Sequence, residues 1–144
     1  MREALTEARC AETLGEVPVG AVVLSAEGGI VGRGHNRPIH NNDPTAHAEI
    51  LALRAAGVAL GNYRLDGCFL AVTLEPCLMC AGSLVHARLA GVVYGAADPK
   101  AGAIATCADS LEMPFHASRV WHMGGILEEE CSGLLKNFFI RCRE

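Results

Sequence analysis

The chain is organised around two stretches, His47-Ala48-Glu49 and Pro76-Cys77-Leu78-Met79-Cys80. Each lies at the predicted start of a helix, the first after a loop and the second after a strand over Phe69–Leu74. Cys77 and Cys80 are three residues apart and therefore share one face of the helix's opening turn. The two stretches together offer one imidazole, two thiolates and one further carboxylate, which predicts a metal site.

Strands alternate with helices on both sides of these stretches. Upstream, the patterns predict a helix over residues 2–14 ended by Gly15, a strand from Val17 to Leu24, a hairpin turn at Glu27-Gly28-Gly29 and a strand over Ile30–Gly34. A loop from Asn36 to Pro44 follows. After it, a helix is predicted from Thr45 to Ala56, with Asp43 or Thr45 as N-cap and Gly57 as the stop. Downstream, they predict a helix from Pro76 to about Arg88, a strand at Val92–Tyr94, a loop from Asp98 to Gly102, a short helical or irregular segment near Ile104–Leu111, a strand at Arg119–Met123, and a C-terminal helix with the apolar stripe Leu127, Cys131, Leu134, Leu135 and Phe138. This alternation predicts an α/β sandwich with helices on both faces of one sheet.

Composition limits the class of protein. The chain has 144 residues, of which 51% are hydrophobic and 5% aromatic, so we expect one domain over 1–144 with an aliphatic core. It contains no apolar run of the length that a membrane span needs. Acidic residues near the N-terminus do not fit a signal peptide, and the seven cysteines are an odd number. We therefore expect a cytoplasmic protein with reduced thiols.

The net charge of −4 argues against binding nucleic acid mainly through non-specific phosphate contacts. However, only Lys100 and Lys136 among the twelve cations are lysines, and arginine is the better reader of phosphates and bases. A local basic patch therefore stays compatible with the composition.

The motifs supply three metal ligands, His47, Cys77 and Cys80. A closed structural zinc site has four protein ligands, whereas a catalytic one leaves a position for water. Cys68 or His86 could in principle supply a fourth ligand. However, His86 would lie on the opposite side of its helix from Cys77, and Cys68 would lie at the far end of its strand. We therefore expect one Zn²⁺ per chain in an open site.

Glu49 lies two residues from the ligand His47 and does not need to bind the metal itself. Zinc lowers the pKa of bound water toward 7, and the reaction then needs a group that takes and returns protons. Glu49 is the candidate for this catalytic role. The combination H-x-E with P-C-x-x-C is typical of zinc-dependent nucleobase deaminases.

At this point the sequence resembles a known family, the bacterial tRNA-specific adenosine deaminases of the cytidine deaminase-like superfamily. The resemblance covers nearly the whole chain. It is carried by Thr45–Ile50, Val72–Gly82, Glu16–Val22, Gly34–Pro38, Asp98–Ala103 and the stretch from Glu130 to Phe139.

The resemblance implies a three-layer α/β/α sandwich with one central mixed sheet. It also implies hydrolytic conversion of adenosine to inosine at the wobble position of a tRNA anticodon stem-loop, by a homodimer. By the same similarity Asn36 would hold the purine ring, Val17 and Ala48 would line its pocket, and Asp98 and Lys100 would contact neighbouring nucleotides. Candidates for contact with the RNA backbone are Arg37, Arg141 and Arg143.

The chain departs from the family pattern at two places. Many members have Gly-Ser where this chain has Ala105-Thr106, and Asn-His where it has Ala117-Ser118. Both departures lie outside the zinc motifs and bear on segments expected to shape RNA contacts.

Three other functions fit parts of the sequence. A deaminase of a free base or nucleoside, such as guanine, cytosine or cytidine, would share the zinc motifs and suits the acidic net charge, but has less use for Asn36-Arg37-Pro38 and Asp98-Pro99-Lys100. A zinc-stabilised binding module would not need Glu49. A redox protein with a C-x-x-C pair would have no use for the H-x-E stretch.

Overall fold

The order of the secondary structure follows the alternation that the sequence predicts. The computed structural model describes residues 1–144. Its elements are α1 (Arg2–Thr13), β1 (Gly20–Leu24), β2 (Ile30–His35), α2 (Pro38–Asn41), α3 (Ala48–Leu60), β3 (Phe69–Leu74), α4 (Leu78–His86), β4 (Gly91–Ala96), a 3-10 turn (Ser110–Glu112), β5 (Trp121–Met123) and α5 (Glu128–Arg141). None of the helices combines the length and apolar composition needed to cross a membrane.

One five-stranded sheet runs through the molecule in the order β2-β1-β3-β4-β5. Strand β1 is antiparallel to both of its neighbours, whereas β3, β4 and β5 are parallel to one another. The mixed sheet that the family resemblance implies is therefore confirmed. Because β3 and β4 are parallel, the residues that follow them meet at the same edge of the sheet.

Helices cover both faces of this sheet. Helices α3 and α4 lie on one face, where Leu84 of α4 packs with Val72 of β3 in the largest buried cluster. Helices α1 and α5 lie on the other face, where Leu5 and Cys131 pack against Ala96 of β4. The predicted three-layer α/β/α sandwich with a mainly aliphatic core is confirmed.

Helix α3 packs closely against β2 because two strand positions lack side chains. A Cβ at Gly34 would lie 2.4 Å from the carbonyl oxygen of Ala48, and one at Gly32 would lie 2.3 Å from that of Ala52. These distances are well below van der Waals contact, so only glycine lets the helix approach to this depth. Since Ala48 is the first residue of α3, this contact also fixes where the helix begins.

The predicted bounds of this helix are wrong at its C-terminal end. Gly57 stays helical, and α3 continues to Leu60, after which Gly61 has a φ of 63°. The N–H of Asn62 donates to the carbonyl oxygen of Gly57, and the N–H of Gly61 donates to that of Val58. This pair of hydrogen bonds is typical of helices that end at a left-handed glycine. Gly61, and not Gly57, adopts that conformation.

The start of α3 also differs from the prediction, because the N-cap is His47 and not Asp43 or Thr45. Asp43 Oδ1 instead accepts hydrogen bonds from the N–H of Thr45 at 2.8 Å and from its hydroxyl at 2.7 Å. These bonds hold residues 43–45 in a local turn. His47 is thereby the last residue before the helix, with an extended backbone.

Other boundaries shift by a few residues. The predicted loop from Asn36 to Pro44 contains the one-turn helix α2, which begins at Pro38 and ends where Asn42 adopts a φ of 49°. Strand β1 begins at Gly20 and not at Val17, because Pro18 has no N–H to donate to a neighbouring strand. Helix α4 spans Leu78–His86, shorter than predicted at both ends, β4 is longer than predicted, and β5 begins at Trp121 rather than Arg119.

The close contact at Gly34 leads to a stability prediction. Gly34→Ala is expected to lower the free energy of unfolding by about 1–3 kcal/mol, because the added methyl group overlaps the backbone of α3. Gly133→Ala is the matched control, since a Cβ at Gly133 in α5 would meet no atom within 4 Å. That control should gain roughly 0.5–1 kcal/mol from better helix propensity. Urea unfolding of both variants measures the difference, and equal effects would contradict the packing argument.

Candidate active site and metal centre

The three predicted metal ligands meet where two helices begin. His47 is the N-cap of α3, Cys77 is the N-cap of α4, and Cys80 is the third residue of α4. His47 Nδ1 lies 3.7 Å from Cys77 Sγ and 3.6 Å from Cys80 Sγ. All three ligand atoms lie within 4.8 Å of one another.

These distances fit a tetrahedral zinc ion. Zn–S bonds of about 2.3 Å and Zn–N bonds of about 2.0–2.1 Å at a tetrahedral angle separate sulfur from nitrogen by about 3.6 Å. The group contains three protein ligands, which leaves the fourth tetrahedral position for a small molecule. The two rejected ligands lie elsewhere, Cys68 immediately before β3 and His86 exposed at the last residue of α4.

The pKa values of His47, Cys77 and Cys80 shift in different directions when no metal is bound. Hydrogen bonds from Cys80 and His47 lower the pKa of Cys77 to about 4. Its hydrogen bond to Cys77, together with burial, raises the pKa of Cys80, and the hydrogen bond to Cys77 raises that of His47. The negative charge therefore settles on Cys77, and a metal that takes both thiolates must displace the proton that remains on Cys80.

Glu49 lies beside the ligands without belonging to the metal-binding group. It is in the first turn of α3, it is only 4% exposed, and its carboxyl group is within hydrogen-bonding reach of Cys80. Burial raises the pKa of Glu49 to about 7 in the metal-free chain. A carboxyl group with that pKa can take up and release a proton near neutral pH.

Asn36 reaches the same helix terminus from the end of β2. Its Oδ1 accepts a hydrogen bond from the N–H of Ala48 at 2.9 Å. The amide orientation is thereby fixed, because the oxygen is used by the protein and the NH₂ group stays available as a donor. The side chain of Ala48 itself is 0% exposed in the core, so it is the backbone of Ala48 that contacts Asn36.

Other predicted substrate residues line a groove of about 760 Å³ between α5 and the loop after β4. The groove brings together Val17, Asp98, Lys100 and Arg143, and it does not include the metal ligands, Asn36 or Ala48. Lys136 on α5 lines the same groove and was not among the predicted site residues. A lysine on the polar side of an amphipathic helix gave no signal that it faces a groove.

Asp98 shapes the loop in which it lies. Its Oδ1 accepts hydrogen bonds from the N–H groups of Lys100 at 2.9 Å and Ala101 at 3.2 Å. An aspartate that accepts from backbone groups two and three residues further on is typical of a turn. Any contact between Asp98 and a nucleotide would therefore use its other oxygen.

The two other arginines proposed for the RNA backbone lie outside the groove lining. Arg141 donates from Nη2 to Glu12 Oε1 of α1. Arg37 has a buried Nε with no hydrogen-bond partner, although the residue is partly exposed. An unsatisfied guanidinium nitrogen is costly, so Arg37 is the better placed of the two to gain from a ligand.

Glu75, which the sequence indicates only as part of a motif, is the most heavily hydrogen-bonded side chain near the site. It is 2% exposed and accepts hydrogen bonds from residues 98–106, which are called the 98–106 segment below. Burial raises the pKa of Glu75, but the bonds from Thr106, Ala105 and Asp98 outweigh burial and lower it overall. The sequence signal was a carboxylate at the end of a buried strand, directly before the ligand turn.

The raised pKa of Glu49 predicts how pH affects the metal-free protein. Between pH of about 4.5 and about 7 the folded state holds a proton on Glu49 that the unfolded chain has released. The free energy of unfolding therefore falls as pH rises through this range and stays low above it. Each pKa unit corresponds to about 1.4 kcal/mol, so Glu49→Gln should stabilise the metal-free chain by up to ~3 kcal/mol at pH 8. At pH 4.5 the two proteins should differ little.

Urea unfolding in the presence of a chelator at both pH values measures this difference. A gain from Glu49→Gln that is the same at pH 4.5 and pH 8 would show that ionisation of Glu49 is not its cause.

Comparison with known proteins agrees with the geometry. Residues 1–96 match the family described as the cytidine and deoxycytidylate deaminase zinc-binding region. The chain is 48% identical over 147 residues to the tRNA-specific adenosine deaminase of Haemophilus influenzae, covering 100% of this chain and 83% of the relative. A solved structure from work on A-to-I editing by tRNA:A34 deaminases at the wobble position of transfer RNA has a TM-score of 0.90 and 43% identity, covering 94% of this chain and 97% of that one.

A solved guanine deaminase from Bacillus subtilis is more distant, with a TM-score of 0.65 and 34% identity over 99% of this chain and 90% of that one. Its likeness is consistent with a shared deaminase fold. The higher identity and the matching lengths of the tRNA-acting relatives place the chain more narrowly. It belongs to the tRNA-specific adenosine deaminases, within the cytidine and deoxycytidylate deaminase family.

Proposed function

We propose that this protein hydrolyses adenosine to inosine and ammonia at the wobble position of a tRNA anticodon stem-loop, in the cytoplasm. The observation that carries the proposal is the open three-ligand metal site with the buried Glu49 beside it. A closed four-ligand site would have favoured a binding module, and a bare C-x-x-C pair would have favoured redox chemistry.

The proposed mechanism assigns one task to each residue. His47, Cys77 and Cys80 would hold zinc, which when bound supplies a water molecule of lowered pKa at its open position. Glu49 takes a proton from the attacking water, delivers a proton to N1 of the purine, and protonates the departing amino group at C6. Asn36, whose oxygen is held by Ala48, donates from its NH₂ group to an acceptor on the purine ring.

A single-stranded loop suits this site. A base in a duplex must first be unstacked at a cost of a few kcal/mol, whereas a base in an anticodon loop can be turned outward into a pocket. The groove beside α5 provides room for neighbouring nucleotides, and Phe139 in its lining offers a ring on which a base can stack.

The distribution of ion pairs reconciles an acidic protein with an RNA substrate. Several arginines of this chain are paired with carboxylates on the protein surface, namely Arg33, Arg54, Arg119 and Arg141. The cations of the groove, Lys100, Lys136 and Arg143, form no ion pair with the protein. The groove is therefore locally basic although the net charge is −4, and its cations are free to approach phosphates.

Deamination of a free purine such as guanine is the second candidate, because a guanine deaminase shares the fold. A free base would need only the metal site with Glu49 and Asn36, and it would leave the groove beside α5 unused. The size and unpaired cations of the groove favour the RNA substrate.

We also propose that the protein acts as a homodimer. Large apolar side chains are exposed on α4 and in the loop after the 3-10 turn that contacts α4, where Leu78 is 67% and Phe115 is 78% exposed. Met79 and Met113 add to this surface at 37% and 40% exposure. A second copy that covers the surface would remove these side chains from water in a symmetric interface.

The substrate proposal predicts the outcome of one deamination assay. The zinc-loaded protein should convert the wobble adenosine of an anticodon stem-loop and leave adenosine, guanine and cytidine essentially unchanged. Glu49→Gln should keep zinc and lose about 10²–10⁴-fold in rate, because the proton carrier is missing. Glu27→Gln, at the exposed hairpin turn, is the control that should keep full activity.

Two results would overturn parts of this proposal. If guanine is converted and the stem-loop is not, the proposed RNA substrate is wrong. Full activity of Glu49→Gln would make the mechanism wrong.

The dimer proposal predicts a change in molecular mass. Phe115→Glu is expected to weaken self-association by at least about tenfold, since it buries a charge in the interface. Tyr63→Glu, at a side chain of similar exposure (75%) in the loop before β3, should leave association unchanged. Sedimentation equilibrium of both variants and the parent distinguishes these outcomes, and a monomeric parent would refute the dimer.

A further inference from the structure

Glu75 connects the metal-ligand turn to the 98–106 segment. It follows β3 directly and precedes Pro76 and Cys77, so its backbone belongs to the turn that supplies a metal ligand. Its side chain points across the sheet edge to the loop after β4. The carbonyl oxygen of Pro76 accepts a further hydrogen bond from the N–H of Ala103 at 2.9 Å, so backbone and side chain bridge the same gap.

Both carboxylate oxygens of Glu75 are occupied by donors from this segment. Oε1 accepts from the N–H groups of Ile104 at 3.2 Å, Ala105 at 2.8 Å and Thr106 at 2.9 Å. Oε2 accepts from the N–H of Asp98 at 3.1 Å and from the hydroxyl of Thr106. No cationic side chain pairs with Glu75, so neutral dipoles alone balance its charge.

The loop is built around this carboxylate. A Cβ at Gly102 would lie 2.4 Å from Glu75 Oε2 and 2.5 Å from its Cδ. The absence of a side chain at Gly102 therefore leaves the space that the carboxylate fills. Hydrogen bonding and packing give independent indications that Glu75 and the 98–106 segment form one rigid unit.

We propose that Glu75 is a positioning residue, which holds Asp98 and Lys100 in place beside the metal centre so that the loop can bind the nucleotide next to the reacting base. The inference rests on the proposed RNA substrate. Glu75 itself touches no reacting atom. It acts through the backbone N–H of Asp98 and the groups that surround Thr106.

Substitution by glutamine tests this role with little change of volume. Glu75→Gln keeps one acceptor oxygen and replaces the other by an NH₂ group, which cannot accept from the N–H of Asp98. The loop should loosen at Asp98 while the metal ligands keep their positions.

Hydrogen exchange measures the loosening without using activity. In zinc-loaded Glu75→Gln the amides of residues 98–106 should exchange at least about tenfold faster than in the parent, with one zinc still bound per chain. Glu16→Gln is the matched control, because Glu16 is also 2% exposed but accepts from the N–H of His40 at 2.8 Å. Glutamine keeps an acceptor oxygen for the single bond from His40, so this variant should leave exchange at 98–106 unchanged. Unchanged exchange at 98–106 in Glu75→Gln would overturn the proposal.

Steady-state kinetics on the stem-loop separates positioning from general damage. Glu75→Gln should raise KM about tenfold with kcat changed far less, and its effect on KM should shrink toward none in the Lys100→Ala background, because both changes act on the same contact. A fall in kcat at constant KM would overturn the positioning role. So would a double variant in which the effects of Glu75→Gln and Lys100→Ala on KM simply multiply.

Thr106 provides variants that do not alter the carboxylate. Thr106→Val removes the hydroxyl donor at nearly constant shape and should shift KM and exchange in the same direction as Glu75→Gln, but less. Thr106→Ser keeps the hydroxyl and should restore parental values. If the parent does not deaminate the stem-loop, the proposed function fails, and the exchange measurement still decides whether Glu75 orders the loop.

Discussion

The active site depends on the contact between α3 and the glycine face of β2. Without side chains at Gly32 and Gly34, the helix lies against the strand backbone, and its first residue is fixed there. The residue immediately before it, His47, then lies beside the turn that leaves β3. The starts of α3 and α4 thereby bring His47, Cys77 and Cys80 close enough together to bind one metal ion.

Both helix starts also shape the electrostatics of the site. His47 and Cys77 are N-cap residues, and the positive end of a helix dipole favours negative charge nearby. Burial is the main cause that raises the pKa of Glu49, and the nearby thiolate of Cys77 raises it further, so the two negative charges oppose each other. A divalent cation between the ligands relieves this conflict. Metal binding and the protonation of Glu49 are therefore coupled through the charge of the same small volume.

The sequence predicted best what depends on neighbouring residues. The metal ligands followed from two short motifs, and the sandwich followed from the alternation of strands and helices, because both are local patterns. Gly57 was mistaken for a helix stop, since the glycine that ends α3 is selected by the bonds of Asn62 and Gly61 to the preceding turn. That choice depends on geometry that a single residue type does not reveal.

Long-range contacts were beyond sequence reasoning. Glu75 meets its donors 23 to 31 residues further along the chain, and Arg141 meets Glu12 at a separation of 129 residues. No periodicity connects such positions. Lys136 was missed for the same reason, because its place in the groove depends on how α5 lies against the loop after β4.

The contacts of Glu75 also explain which departures from the family pattern the fold can accept. Ala105 contributes its backbone N–H to Glu75 and its side chain is exposed, so exchange between alanine and glycine there leaves the bond in place. Thr106 contributes a hydroxyl, which serine also carries, so the Thr-for-Ser difference preserves the donor as well. Ser118 donates from its hydroxyl to the carbonyl oxygen of Val85 on α4 at 3.2 Å, a bond that anchors its loop to the protein. At Ala105 and Thr106 the departures thus keep the donors on which the loop geometry depends, because the first contact uses the backbone and the second uses a hydroxyl that both residue types carry.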